Sequence, residues 1–342
     1  MQVLSSVFDW VADVFGLAQQ WLYEAVVQPL LFSMGWGAYL EDAFDATGWL
    51  LVGLIQLVII VALIGPLQRW WPGEVAPADP ARRAERRHAI FIDFLYTLLH
   101  RLGLFRVGLF LAIDPLWDAL FGGLALAGYG AWHLDQWIAP WWPGLTDTAL
   151  AGFVAYLLVF DLANYLLHRA QHQFEWWWAL HSLHHSQRHM TMWTDSRNHL
   201  LDDLLIDSAF VLLARLIGVA PGQFVALVAL SQLIENLAHA NTRLHFGWLG
   251  ERLLVGPRFH RLHHAIGVGH ESKGQGTLGG HNFAVLFPVW DLLFRSAHFG
   301  AEWPATGIRD QLPEAGGRDY GRGFWRQQWL GLQRLFSRRQ AS

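Results

Sequence analysis

Residues 48–67 read GWLLVGLIQLVIIVALIGPL and contain one polar side chain, Gln56. A helix of about 20 residues crosses the roughly 30 Å hydrocarbon core of a bilayer, so this segment predicts a membrane-spanning helix. The composition agrees with that prediction, because 53% of the 342 residues are hydrophobic and only 15% are charged. Soluble domains carry about 25% charged residues. We therefore expect an all-α integral membrane helical bundle.

Charges on the two sides of this span predict its direction. The first 47 residues contain no Lys or Arg, whereas Arg69 and four arginines within residues 82–87 follow the span. Because positive charge stays on the cytoplasmic side, we expect the N-terminus outside and the 68–88 loop in the cytoplasm. A second span is expected at about 104–130, and residues 148–167 would cross back inward. This topology predicts a multi-pass protein.

The chain contains 18 histidines and no cysteine. Disulfides, cysteine–zinc sites and iron–sulfur clusters are therefore excluded. A net charge of −4 gives no indication of a nucleic acid partner. Any metal site must be built from imidazoles and carboxylates.

Three short segments, here called the histidine boxes, hold histidines at helical spacing. On a helix, residues three and four apart share a face, so each segment presents its imidazoles together. Burial of so many imidazoles without a metal would leave many polar groups in need of partners. The expected ligands, which face the cytoplasm in this topology, are His168 and His172; His181, His184 and His185; and His260, His263 and His264.

Three further residues are candidates near such a site. The segment ENLAHANTRLH places His239 and His245 just before the third box, and both are candidate ligands. Asp161 lies two turns before His168 in an apolar helix, where an acid is usually functional, so we expect it to orient His168. Spacing alone leaves the metal open, since imidazole suits Zn, Cu, Fe and Ni.

These boxes and their flanking residues resemble the fatty acid hydroxylase/sterol desaturase superfamily of integral membrane di-iron oxygenases. The resemblance covers about residues 145–296. It departs from the family where Arg295 and Ser296 follow WDLLF in place of Gly-Thr. The matching segments are DLANYLLHRAQH (161–172), WWWALHSLHH (176–185), HANTRLH (239–245), GPRFHRLHHA (256–265) and HNFAVLFPVWDLLF (281–294).

The resemblance implies a transmembrane bundle capped by a cytosolic helical region that carries the histidine boxes. Two iron ions would be bound by the eight box histidines and by His239, with Asn282 near the metal and zinc as the alternative in purified protein. The implied reaction uses O₂ as co-substrate to hydroxylate an apolar lipid, either sterol-like or long-chain. No dinucleotide fingerprint is present, so electrons would come from a separate donor, a ferredoxin or a small cytochrome with its reductase.

The same reasoning predicts three segments along the chain. Residues 1–144 would form the N-terminal membrane region, residues 145–296 the catalytic domain and residues 297–342 a tail. In the tail, Trp325, Trp329, Leu332 and Phe336 share a helical face bordered by arginines, which is typical of a helix lying at a membrane interface and equally of a helix packed on its own domain.

Other functions remain open from the sequence. A lipid desaturase of the same superfamily would use the same ligands. A zinc-dependent membrane hydrolase would need neither oxygen nor a reductant. A metal-binding or transport protein would place its histidines along the spans near mid-membrane, whereas here they cluster at one end.

Overall fold

The computed structural model describes residues 2–130, 132–143, 149–271 and 273–337. Within these ranges the chain forms helices, turns and two isolated bridges, Pro72 with Thr242 and Ala265 with Thr306, and no strand. The predicted all-α class is therefore confirmed.

Most of the described chain is helical. The helices are α1 (Gln2–Leu22), α2 (Gln28–Ser33), α3 (Leu40–Ile59), α4 (Gly65–Trp70), α5 (Pro80–Arg101), α6 (Leu104–Leu126), α7 (Leu134–Ile138), α8 (Ala149–Gln173), α9 (Glu175–His185), α10 (Leu200–Ile217), α11 (Pro221–His239), α12 (Gly247–Leu253), α13 (Pro257–His263), α14 (Val289–Leu293) and α15 (Phe324–Phe336). A π-helical turn at Tyr23–Val27 joins α1 to α2, and another at Ile60–Ile64 joins α3 to α4.

Two helical segments are long and apolar enough to cross a membrane. The first, Gly37–Trp70, has 34 residues and a mean hydropathy of 2.7, and it contains the predicted span 48–67. The second, Leu150–Gln173, has 24 residues and a mean hydropathy of 1.8. The predicted span at 104–130 corresponds to α6, of which Pro115–Leu126 forms a shorter apolar helix. The number of crossings and their direction stay predictions.

One compact unit comprises Met1–Val58, Leu99–Tyr156 and Ala214–Val225. Within it, Trp49 meets Phe224 edge-on at 6.2 Å between ring centroids. Gly53 lies so close to the Arg101 carbonyl that a Cβ atom there would come 1.5 Å from the oxygen. Only glycine therefore allows these two backbone segments to approach.

The second compact unit comprises Ile59–Leu98, Leu157–Leu213 and Ala226–Ser342, and it contains every histidine of the three boxes. Its central apolar cluster joins Tyr165 of α8, Ala238 of α11, Phe259 of α13 and Phe283. This cluster packs together three of the four helices that carry the predicted ligands. The two units alternate along the chain and differ from the three predicted segments. The predicted boundary at 144/145 lies outside the described residues.

Candidate metal centre

The histidine boxes lie on three helices, and a further histidine ends α11. His168 and His172 occupy the last turns of α8, and the second box forms the end of α9. The third box occupies α13, which begins at Pro257, where the ring fixes a helical φ and needs no amide donor. Helical spacing therefore turns each box toward one side of its helix, as the sequence predicts.

The structure brings eight buried histidines together in two groups of four. Group A is defined as His168, His172, His185 and His263, and group B as His184, His239, His260 and His264. Within each group, one ring nitrogen from every member lies within 4.8 Å of the others. The groups adjoin, since the rings of His185 and His264 stack with centroids 4.3 Å apart.

In group B the facing nitrogens are close enough to share one ion. The Nε2 atom of His239 lies 3.1 Å from Nε2 of His184 and 2.9 Å from Nε2 of His260. The Nε2 atoms of His260 and His264 are 3.2 Å apart. Two nitrogens bound at roughly 2.1 Å to one ion lie roughly 3.0 Å apart at a right angle and roughly 3.4 Å apart at the tetrahedral angle. The observed distances of 2.9, 3.1 and 3.2 Å lie close to the right-angle value.

Backbone carbonyls fix the tautomers of three histidines. The Nδ1 atoms of His168, His263 and His239 lie 2.8 Å from the carbonyl oxygens of Phe283, His281 and Glu235. A carbonyl only accepts, so each Nδ1 carries the proton and each Nε2 keeps its lone pair. Metal-binding histidines commonly have this arrangement, because the outer hydrogen bond orients the ring.

Many of the remaining ring nitrogens are buried without a hydrogen-bond partner. Both nitrogens of His172 and of His185 are in this state. So are Nδ1 of His184, His260 and His264, and Nε2 of His181 and His263. Each unsatisfied buried polar atom costs about 1–3 kcal/mol. A metal ion at group A would satisfy unpartnered nitrogens of His172, His185 and His263 at once. The facing Nε2 atoms of group B offer donors to a second ion. The donor set therefore fits two ions held by imidazole.

Burial also keeps these imidazoles neutral. Loss of hydration, followed by repulsion from neighbouring imidazoles, lowers the pKa of five box histidines outside the membrane-spanning segments well below the usual 6.5. These are His184, His185, His260, His263 and His264. At neutral pH their lone pairs are therefore available to a metal.

A short loop at residues 281–287 supplies two of the orienting carbonyls. Asn282, between the two residues that supply these carbonyls, has φ 62°, a left-handed conformation that asparagine tolerates better than most residues. Its Nδ2 donates to the carbonyls of Phe259 and His298, each at 2.9 Å, and its Oδ1 accepts from the His298 amide at 2.6 Å. Asn282 therefore fixes the loop that holds two group A ligands.

Asp161 acts on the same loop. Its carboxylate accepts hydrogen bonds from the amides of Leu286 and Phe287, at 2.9 and 3.1 Å, and from Nε1 of Trp290 at 2.8 Å. The predicted hydrogen bond from His168 to this carboxylate is not formed, because the ring donates to the Phe283 carbonyl. Asp161 can therefore affect His168 only through the loop.

Two of the predicted ligands lie outside both groups. His181 donates from Nδ1 to Asp202 at 3.2 Å, and its ring centroid lies 5.2 Å from that of His168 in group A and 5.3 Å from that of His184 in group B. His245 is exposed, and its Nδ1 accepts from the Gly247 amide at 3.3 Å. A ligand role for either residue stays a prediction.

A cavity of about 100 Å³ opens beside both groups. Group members His168, His184, His239 and His260 reach it, and so does His181. Sequence reasoning did not select the four acidic residues that also line it, because nothing in their spacing marks them. They are Asp195, Asp202, Asp203 and Glu235.

Comparison with known proteins agrees with this geometry. Residues 153–296 match the fatty acid hydroxylase family profile. Ornithine lipid hydroxylase OlsE from Rhizobium tropici is 24% identical over 253 residues, which cover 73% of this chain and 67% of that protein. Alkylglycerol monooxygenase from Caenorhabditis elegans is 24% identical over 184 residues, 52% of this chain and 32% of that protein. No solved structure matches. The chain therefore contains a fatty acid hydroxylase domain at residues 153–296, the domain found in the fatty acid hydroxylase/sterol desaturase superfamily.

Proposed function

We propose that the protein is a membrane-bound di-iron oxygenase that hydroxylates a lipid. The observation that carries the proposal is the pair of adjoining imidazole groups, A and B, each with nitrogens close enough to share an ion. The superfamily and the two lipid hydroxylase relatives support iron and an oxygen-dependent reaction, since imidazole alone would also suit zinc. The expected reaction consumes one O₂, two electrons and two protons per C–H bond, and it yields an alcohol and water.

Two iron ions held by these groups would supply the reductive activation of O₂. The protein's own contribution is to orient the ligands and to keep them neutral. The carbonyls of Phe283, His281 and Glu235 hold the Nδ1 protons, and burial excludes water from the rings. No donor in either group is an anion. Of the carboxylates around the cavity, Asp195 lies 3.8 Å from Nδ1 of His239 in group B, so it places a negative charge beside the metal site.

The lining of the cavity favours one class of lipid. A sterol offers one hydroxyl group, whereas a lipid with a hydrogen-bonding headgroup offers several donors to the carboxylates at the cavity wall. The relatives' names refer to ornithine lipids and alkylglycerols, both of which carry polar headgroups. We therefore favour a lipid with a polar headgroup over a sterol, with the oxidised carbon near that headgroup. Electrons would come from a separate ferredoxin or small cytochrome.

The test measures metal and oxygen incorporation in the same preparations. Detergent-purified protein from iron-supplemented cells is expected to hold about two irons per chain. A His184→Ala, His263→Ala double variant removes one member of each group and should hold none, while His88→Ala, which removes an exposed histidine of α5, should match the wild type. With a chemical reductant and ¹⁸O₂, the wild type should place one ¹⁸O in a lipid of the host extract.

Three results would count against the proposal. Stoichiometric zinc that iron cannot replace, with oxygen-independent turnover, would favour the hydrolase. An alkene product without ¹⁸O would favour the desaturase. Equal metal content in wild type and double variant would exclude these groups as the metal site.

A further inference from the structure

His270 is a buried histidine outside the three boxes. Its side chain is 3% exposed, and neither ring nitrogen has a hydrogen-bond partner. Its ring centroid lies 5.6 Å from that of His185 in group A and 5.4 Å from that of Trp178. Each buried nitrogen without a partner destabilises the folded protein, so a ligand is expected to offset that cost.

A glycine-rich loop holds His270 in this place. A Cβ atom on Gly269 would come 1.8 Å from the carbonyl oxygen of His263, and one on Gly280 would come 2.0 Å from the carbonyl oxygen of Gly269. The Gly269 amide also donates to the Ala265 carbonyl at 3.0 Å. The backbone of this loop therefore packs directly against the end of α13. This close packing places His270 beside group A.

We propose that His270 is a further imidazole ligand of the metal ion held by group A, an inference that rests on the proposed metal centre. Two imidazoles on one ion place their ring centroids roughly 4.5 Å apart at a right angle and roughly 6.4 Å apart when opposite, for metal–nitrogen bonds of roughly 2.1 Å. The separation of 5.6 Å from His185 lies between these limits. Within group A, the His168–His263 and His172–His185 pairs lie at 4.4 and 4.6 Å.

The experiment uses the full chain loaded with Co²⁺, whose visible absorption reports the number of ligands. His270→Ala is compared with the wild type and with His88→Ala, which removes an exposed histidine of α5. We expect His270→Ala to release one of two ions 10- to 100-fold more readily to a chelator and to change the absorption of that ion. Added imidazole should restore the spectrum.

Unchanged release and an unchanged spectrum would overturn the role of His270. Faster release with an unchanged spectrum would also overturn ligation, since it would indicate that His270 only positions His185. Because binding is measured without turnover, a failure of the proposed oxygenase activity would leave this result readable. Absence of bound metal in the wild type itself would instead refute the proposed metal centre.

A second, independent observation concerns helix α15, whose polar face is buried and whose aromatic face is exposed. Gln327 and Gln328 are 2% and 7% exposed, whereas Trp325 and Phe336 are 78% and 79% exposed. Trp329 lies on the same exposed face. A helix packed on a water-soluble surface buries its apolar face instead.

Directional hydrogen bonds hold α15 in this orientation. Gln328 donates from Nε2 to the Tyr96 hydroxyl at 2.9 Å and accepts from the Leu200 amide at 2.8 Å. Nε2 of His199 donates to the Gln328 carbonyl at 2.9 Å. Turning the aromatic face inward would break all three bonds. Helix α5, which carries Tyr96, also exposes Phe91.

We infer that the exposed face of α15 lies in the headgroup region of a bilayer. Tryptophans are favoured at membrane interfaces, and arginines beside them bind anionic lipid. Arg322 and Arg326 border the face and are exposed. A lipid surface therefore matches both the aromatic residues and the charge.

The chain has no cysteine, so a single introduced cysteine can be spin-labelled at one site. Trp329→Cys in an anionic-lipid nanodisc should give a label accessible to O₂ and protected from a water-soluble nickel complex. Lys273→Cys, in an exposed polar loop, should give the reverse. Access of the nickel complex at 329 would overturn the proposal. Protection from both reagents would also overturn it, in favour of a protein partner.

Discussion

The Asn282 side chain offers a sharp test of how the loop supports the metal centre. Asn282→Ala removes three hydrogen bonds that its side chain makes to Phe259 and His298. Each bond contributes about 1 kcal/mol to stability. Alanine at φ 62° costs about 1 kcal/mol more, because it has a Cβ atom but no polar side chain to stabilise this conformation. The free energy of unfolding should therefore fall by about 3–5 kcal/mol. Asn282→Gly should lose about 1 kcal/mol less, because glycine adopts this φ freely.

The assay combines thermal unfolding in detergent with metal release. A chain of this size shifts by roughly 2 °C per kcal/mol, so Asn282→Ala should melt roughly 6–10 °C below the wild type. Group A should release its ion 10- to 100-fold faster, because the carbonyls that orient His168 and His263 belong to this loop. Arg295→Gly is the control, since Arg295 is exposed at φ 58° and touches no ligand. Equal melting of the alanine and glycine variants, or unchanged metal release, would refute the reasoning.

Three further predictions follow from the site. The five box histidines whose pKa values lie well below 6.5 stay neutral in the folded protein, so the unfolded chain binds more protons as the pH falls below 6.5. The free energy of unfolding of the metal-free protein should therefore fall between pH 7.5 and 5.5, by up to about 1.4 kcal/mol per pH unit for each histidine. Denaturant titrations measure this loss. Gly269→Ala should lower metal content, because the Cβ would meet the His263 carbonyl, whereas Gly222→Ala, with open space around it, should leave content unchanged. Asp202→Asn should loosen His181 and weaken metal binding about tenfold by chelator competition; wild-type affinity would exclude a role for the pair.

The helical spacing of the boxes was enough to predict that each box shares one face. It could not predict how the boxes divide between two ions. His184 and His185 are neighbours in one box, yet the first belongs to group B and the second to group A. In the third box, His263 belongs to group A and His264 to group B. The division depends on how α9 and α13 approach each other, which local sequence does not encode.

The residue types did not predict the hydrogen-bond partners around the metal ligands. The partners of His168 and His263 are backbone carbonyls, which any residue could supply. Asp161 stood out as an acid in an apolar helix, but the pattern did not show that its partners are amides of a distant loop. His270 lies in a glycine-rich segment without helical periodicity, so no spacing rule linked it to the boxes.

For α15, the pattern correctly indicated one aromatic face, but it did not indicate which face the protein buries. That choice depends on Gln327 and Gln328, which meet partners on α5 and α10. Glutamine in an amphipathic helix is normally assigned to the solvent side. The inverted packing could therefore only be seen in the structure.

The loop at 281–287 makes metal loading and chain ordering a single cooperative event. It receives ligands from α8 and α13, is tied down by Asn282 and Asp161, and supplies no box histidine itself. An ion bound by group A would hold His168 and His263 on these carbonyls, and the loop would become harder to open. A protease should therefore cleave this loop faster in the metal-free protein than in the loaded protein, and a cell could remove unloaded copies by recognising this segment before any turnover is lost.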